Sequence, residues 1–253
     1  MSGKKIFELD RVDSTNAFAN QLLLSGQTGD GDVVWAHEQY AGRGQHDQAW
    51  VSEAGLNLTL TVIFRPLFLA PDRQFLLNKV ISLAVVDYLN TAIASVNETG
   101  QPGLTIKWPN DIYIGNLKIA GILIENRIMG SSVEVSMAGI GININQLSFS
   151  SEIPNPVSLI QVIHRETVLK EALLSLCHMI EQRYEALKAN RTDSIDLQFD
   201  QLLLGFGKWR DFTCSEGKLE GKIKGVNQFG QLLLELRNGE VQEFNHREVE
   251  FLK

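Results

Sequence analysis

Lys107-Trp108-Pro109-Asn110-Asp111-Ile112-Tyr113-Ile114-Gly115-Asn116-Leu117-Lys118-Ile119-Ala120-Gly121-Ile122-Leu123-Ile124-Glu125 has a strand-turn-strand pattern around which the rest of the chain can be arranged. Ile112 to Ile114 forms one arm of a predicted β-hairpin, Gly115-Asn116 the turn, and Ile119 to Ile124 the return arm. Pro109 has no N–H to give to a sheet, so the Pro109-Asn110-Asp111 step is expected at a strand boundary with its polar side chains exposed. Lys107 and Lys118 stand on opposite sides of the turn, and strand pairing would bring both ammonium groups to one cavity. Lysines beside Asn110 and Asp111, floored by apolar strands, suit the grip of a small anionic ligand. The plainer alternative is a surface hairpin with solvated lysines, the usual fate of lysine.

Outward from the hairpin, Ile6 to Leu9 reads as a short strand, followed by a helix carrying Ala17, Phe18, Leu22, Leu23 and Leu24. Ser14 or Thr15 is placed to cap that helix by accepting bonds from its first N–H groups. Val33 to Ala36 is a predicted buried strand, and Leu56 to Phe64 alternates with period two. Phe75, Leu76, Val80, Leu83, Ala84 and Leu89 recur at helical spacing, predicting a long helix over residues 72–95 that lies on a sheet. Val133 to Asn145 is a further strand, with glycines that admit close approach to its backbone. Residues 146–164 read mainly as a loop, with a short element over Val157 to Ile163. Helices follow over about Arg165–Leu187 and Ser194–Leu204. From Gly205 onward the pattern changes to short strands at Asp211–Ser215, Leu219–Val226, Gln231–Leu236 and Val241–Phe244, with an Asn238-Gly239 hairpin turn. Residues 1–204 are therefore assigned to one domain and 205–253 to a small β domain.

The chain has 253 residues, 44% hydrophobic and 21% charged, the profile of an ordinary soluble globular protein. Its 23 basic and 30 acidic residues leave a net charge of −7. That argues against a nucleic-acid backbone as main partner, since such binding needs a basic face. Cys177 and Cys214 have neither metal-ligand nor redox-motif spacing, which suits a reducing, cytoplasmic setting. No signal core follows Met1-Ser2-Gly3-Lys4-Lys5, and no run is read as approaching transmembrane length, so no membrane partner is expected.

The central stretch also resembles the signature of biotin protein ligases, a Lys-Trp-Pro-Asn-Asp box followed by a Lys-x-x-Gly-Ile-Leu-x-Glu strand; here these are Lys107–Asp111 and Lys118–Glu125. Asp13-Ser14-Thr15-Asn16, Ala41-Gly42-Arg43-Gly44 with Trp50, and Gly139-Ile140-Gly141-Ile142-Asn143 stand in the family's order. The resemblance spans about residues 6 to 145 in its motifs. It implies an α+β fold: a mixed, mostly antiparallel sheet flanked by helices, similar to class II synthetases, followed by a small SH3-like β-barrel. It also implies a two-step reaction with ATP, Mg²⁺ and biotin, through biotinyl-5′-AMP, on a lysine of a biotin carboxyl carrier protein or domain. Some relatives carry a winged-helix DNA-binding domain before the catalytic one; with about a dozen residues before Ser14, none is expected here. The form expected is a monomer or homodimer.

Such chemistry requires groups for an uncharged ureido ring and positive charge around a carboxylate and phosphates. The resemblance implies that Ser14, Thr15, Asn16 and Gln39 meet the biotin head. Arg43 and Lys118 are the expected catalytic cations, both also against biotin with Gly44, Gln45 and Gly121. Arg43, Gln45, Trp50, Lys107, Asn110, Asp111 and Asn143 are expected on the ATP side. Each has a plainer reading: a helix cap for Ser14-Thr15, an ordinary turn for Gly42-Arg43-Gly44, core packing for Trp50 and Trp108. No dedicated metal cage is expected, because Mg²⁺ borrows phosphate oxygens; Asp111 is the nearest candidate. Lipoate ligation and a non-catalytic biotin-binding module are the competing functions.

One departure stands out. Many relatives continue Gly-Arg-Gly-Arg-x-Gly-Arg-x-Trp, whereas this chain has Gln45-His46-Asp47-Gln48-Ala49-Trp50. Glutamine for arginine beside a phosphoryl group removes a charge-assisted bond, a deficit of about 1 kcal/mol. Gln45→Arg is therefore expected to slow release of biotinyl-AMP by about fivefold. His46→Ala is expected to speed it, since an imidazole near phosphate keeps part of its charge. Dissociation rates of labelled biotinyl-AMP from the three proteins check this; equal rates would mean that the loop does not clamp the phosphate there.

Overall fold

A computed structural model describes residues 4–44, 49–96 and 103–252. The chain runs β1 (Ile6–Val12), α1 (Thr15–Leu24), β2 (Asp32–Gln39), β3 (Leu58–Phe64), α2 (Phe75–Ala94), β4 (Leu104–Lys107), β5 (Asp111–Ile114), β6 (Leu117–Met129) and β7 (Ser132–Ile142). Helices α3 (Leu159–Ile163), α4 (Leu169–Lys188) and α5 (Thr192–Leu202) follow. Strands β8 (Trp209–Cys214), β9 (Gly217–Val226), β10 (Leu232–Leu236), β11 (Val241–Phe244) and β12 (Val249–Phe251) end the chain.

Strands β1 to β7 form one sheet in the order β1-β2-β3-β7-β6-β5-β4. Only the β1–β2 pair is parallel. The period-two pattern of β3 explains the layering. Leu58, Leu60, Val62 and Phe64 join the large core under α2, α4 and α5. Ile63 joins a smaller cluster with Ala19 and Leu22 of α1 on the other face. Every residue of β3 is buried, so its two threonines on the α1 face, Thr59 and Thr61, are enclosed as well. Helix α1 covers only part of that face, and the uncovered part becomes the site described below.

Four expectations are corrected. Ser14 occupies the N-cap position of α1, but its side chain makes no capping bond; its N–H donates to Asp13 Oδ1 at 2.7 Å. Helix α4 starts at Leu169 rather than near Arg165, because residue 167 is pinned to the segment after β7 by reciprocal bonds between Thr167 and Asn145. Asn110 is buried rather than exposed. Its amide donates to the Ile122 carbonyl, and its own carbonyl accepts the Ile122 N–H at 3.1 Å. The hairpin of β5 and β6 is as expected, but β4 adds a third strand before it, joined through a cis Trp108–Pro109 turn. Helix α2 with its preceding turn, Pro71–Ala94, is long and apolar enough by length and composition to cross a membrane, contrary to the sequence expectation. Here it is the core helix, buried along most of its length against the sheet.

The C-terminal strands form a separate five-stranded antiparallel sheet, order β11-β10-β9-β8-β12, of the expected SH3-like kind. Strand β12 escaped the sequence pattern because it is three residues long. Its core is continuous with the main one through Phe212, Ile223, Val226, Leu232, Leu234 and Val249. Lys79 of α2 links the two sheets: it is 1% exposed and donates to Asp196 Oδ1 at 2.8 Å and to the Val226 carbonyl at 2.9 Å. Asp200 accepts the Val226 N–H at 3.1 Å.

Burial lifts the Asp200 carboxyl from 3.8 to about 6, against the pull of Lys79 and the Val226 N–H, with Asp196 adding repulsion. The folded chain thus holds this proton more tightly than the unfolded one. The resulting stabilisation is full below about pH 3.8 and is lost as pH rises through about 6. Asp200→Asn keeps an acceptor for Val226 and is expected to gain about 1–2 kcal/mol over the wild type between about pH 4 and pH 7.5, after solvent screening. Denaturant unfolding at both pH values checks this; identical pH dependence in the two proteins would remove Asp200 as its source.

Candidate active site

The uncovered face of the large sheet floors a cavity of about 360 Å³, walled on one side by the start of α1 and on another by the C-terminal sheet. The floor follows from side-chain parity. Large residues of β6 and β7, such as Ile122, Ile140 and Ile142, point into the core, while Gly121, Gly139 and Gly141 take the alternate positions. Gly141 pairs with Gly121 and Gly139 with Leu123. A Cβ at Gly141 would stand 2.2 Å from the Trp50 indole, and one at Gly139 would stand 2.6 Å from Asn16 Oδ1. Only glycine leaves room for the groups above.

At the α1 end the lining is polar and uncharged. Ser14, Thr15 and Asn16 are all buried. Gln39 Oε1 accepts from the Thr15 N–H at 2.7 Å and from its hydroxyl at 3.1 Å. The Thr61 hydroxyl lies 2.6 Å from Asn16 Oδ1 and 2.8 Å from the Thr15 hydroxyl. Asn16 donates its amide to Glu125 Oε2 at 2.6 Å. Glu125, the last residue of the central stretch, therefore orients Asn16 from across the sheet. These bonds fix the side chains before any ligand arrives, as a recognition pocket requires.

Beyond this end the charge changes. Lys118 Nζ lies 2.8 Å from Asp111 Oδ1 and 5.7 Å from the Trp50 ring centre. Lys107 faces Asp111 across β4 and β5, and its ammonium lies 5.5 Å from the Tyr113 ring. Burial, with Asp111 adding to it, pushes the Tyr113 hydroxyl up to about 12, so it stays protonated. Arg43 enters from a loop whose stem pairs Arg43 with Ala49 and bonds the Trp50 N–H to the Gly42 carbonyl at 2.9 Å. Trp50 Nε1 is buried without a hydrogen-bond partner among the described residues. A cleft with neutral hydrogen-bonding groups at one end and clustered cations beside a glycine floor suits a ligand with a neutral polar head and an anionic tail.

Ser14, Thr15, Asn16, Gln39, Arg43, Gly44, Trp50, Lys107, Asn110, Asp111, Lys118 and Gly121 all line this one cavity. Asn143 does not: it is buried, and its amide donates to the Val157 carbonyl at 3.0 Å. Asn110 lines the wall with its amide already committed to Ile122, so it holds the hairpin's shape. Gln45 and His46 lie outside the described residues. Sequence reasoning missed the entire C-terminal wall, which contributes Phe212, Leu232, His246, Arg247 and Val249. No motif marks these residues, and more than a hundred positions separate most of them from the hairpin. Trp108 was visible, but its bridging role was not: its indole N–H donates to the Gly230 carbonyl at 2.9 Å, and its ring meets His246 edge-on at 5.7 Å.

Comparison with known proteins places these features in context. The model of the Biotin/lipoate A/B protein ligase family matches residues 8–145. The bifunctional ligase/repressor BirA of Bacillus subtilis is 30% identical over 244 residues, covering 94% of this chain and 71% of that protein. The biotin–[acetyl-CoA-carboxylase] ligase of Paracoccus denitrificans is 40% identical over 141 residues, 54% of this chain and 53% of its own length. A structure of the biotin protein ligase from Aquifex aeolicus in complex with biotin and ATP superposes with a TM-score of 0.78 over 99% of both chains at 24% identity, a likeness of fold.

Proposed function

We propose that this chain, which belongs to the biotin/lipoate A/B protein ligase family as a biotin ligase, uses ATP to join biotin to one lysine of a carboxylase carrier domain through biotinyl-5′-AMP. The observation that carries this is the single cavity in which Thr15, Asn16 and Gln39 form a neutral, pre-bonded end and Lys118 and Arg43 supply charge over a glycine floor. The ligase relatives from Bacillus subtilis and Paracoccus denitrificans support the same chemistry.

In the first step a biotin carboxylate oxygen attacks the α-phosphorus of ATP and pyrophosphate leaves. Two anions must approach, so a cation held between them lowers the barrier. Lys118 suits that role, because its side chain crosses the floor beside Gly121 and Asp111 fixes its ammonium. Arg43 lines the same cavity and offers a planar fork to the carboxylate or phosphate. In the second step the ε-amine of the carrier lysine attacks the acyl carbon and AMP departs. Lys118 then stabilises the charge returning to the phosphoryl oxygens. The metal enters with the nucleotide as MgATP. Among the described residues there is no cluster of three or more acidic, His or Cys side chains able to hold an ion, while Asp111 offers one carboxylate near the phosphate path.

Biotin-dependent exchange of labelled pyrophosphate into ATP by the purified chain tests this reading, with lipoate as the parallel substrate. Exchange with biotin and none with lipoate is expected. No exchange with either, or equal exchange with both, would refute it.

A further inference from the structure

The C-terminal wall carries a charge with no role in the chemistry above. Asn245, His246, Arg247 and Glu248 form the turn between β11 and β12. The Glu248 N–H donates to the Asn245 carbonyl at 3.1 Å. The Glu248 carboxylate accepts from the Asn245 N–H at 2.6 Å and from its side-chain amide at 3.1 Å. The turn is thus closed by backbone and side chain together. Its second central residue, Arg247, has φ +74°, the position and sign that glycine fills in a type II turn. A long L-residue is disfavoured there. Arg247 lines the cavity, and among the described residues its guanidinium has no hydrogen bond or ion pair. Nothing among the described residues accounts for an arginine at this position.

The turn is also held in register with the site. His246 packs edge-on against Trp108, and the neighbours of these two rings, Arg247 and Lys107, are both cavity-lining cations. Of the lining residues from the C-terminal strands, Glu250 alone is acidic. We propose that Arg247, with Lys107, receives the β- and γ-phosphates of the nucleotide and binds pyrophosphate as it forms; this rests on the acyl-adenylate function proposed above. In that step a biotin carboxylate oxygen bonds to the α-phosphorus, the bond from that phosphorus to the bridging oxygen breaks, and the bridging oxygen leaves on pyrophosphate with the electron pair. Charge therefore accumulates on the leaving group, where a guanidinium fork makes paired charge-assisted bonds. Lys118 and Arg43 serve the α-phosphate in both steps. Arg247 acts only while the polyphosphate is present.

The two half-reactions separate these roles. Biotin-dependent pyrophosphate exchange is measured on the full chain and on Arg247→Ala, Arg247→Gly and Arg247→Lys, beside biotin transfer from pre-formed biotinyl-AMP to a carrier domain. The Ala and Gly variants are expected to raise the half-saturating concentrations of ATP and pyrophosphate by about tenfold or more, with transfer from biotinyl-AMP unchanged and Lys recovering part of the loss. Arg247→Gly is also expected to raise Tm by relieving the backbone, a gain in stability alongside a loss of nucleotide affinity that a structural role would not give. Unchanged constants in Arg247→Ala overturn the proposal, as does an equal loss in both half-reactions. Absence of exchange by the unmodified chain would overturn the acyl-adenylate function itself and this inference with it.

Discussion

Lys118→Ala is expected to slow biotin adenylation by about 10²–10³-fold while leaving the fold intact. The ammonium lies at the cavity floor, with its side chain part-exposed and paired to one carboxylate, Asp111. A single part-exposed pair of this kind adds little to stability, so the loss falls on the reaction. The variant should bind biotin, because the uncharged end of the cavity lies on α1 and β2 and does not depend on Lys118. Single-turnover formation of biotinyl-AMP, read beside thermal unfolding, checks both halves of the expectation. Normal turnover in a folded variant would remove Lys118 from the chemistry, and unfolding would show that it serves structure.

Trp108→Ala is expected to give the largest loss of stability, about 3–5 kcal/mol, as for other buried tryptophans cut to alanine. The ring is buried in the joint between the two sheets, hydrogen-bonded to Gly230 and packed on His246. Its removal opens a void at the point where the C-terminal wall meets the central hairpin. Trp108→Phe keeps most of the packing and gives up one hydrogen bond, so it should lose only about 1–2 kcal/mol. Denaturant unfolding of the three proteins measures the series. Equal stability of the wild type and the alanine variant would show that the sheets do not meet through this residue. Because the wall belongs to the cavity, nucleotide affinity should fall in the same order.

The parts of this fold that sequence revealed are those whose physics is local. The period-two run of β3, the helical spacing of α2 and the turn at Gly115-Asn116 each follow from neighbouring residues, and each element lies where expected. The candidate site was legible where its residues fall within short blocks, from Ser14 to Asn16 and from Lys107 to Lys118. Illegible were the features that depend on distant partners. Ser14 has the residue type of a cap, yet its side chain makes no capping bond. The bonds from the Asn110 and Asn143 amides to backbone carbonyls were equally hidden, because the chain brings those carbonyls to them from elsewhere. Arg247 gave no signal, because an arginine on an exposed turn has no spacing to betray it; only its backbone angle and its place in the cavity do so.

The most direct test of the proposed chemistry is mass spectrometry of a biotin carboxyl carrier domain after incubation with the purified chain, biotin and MgATP. The predicted result is one biotinyl group on one carrier lysine, formed only when ATP is present. A carrier that stays unmodified, or one labelled on many lysines by adenylate that has escaped the cavity, would contradict a site that both forms biotinyl-AMP and holds it for a single acceptor.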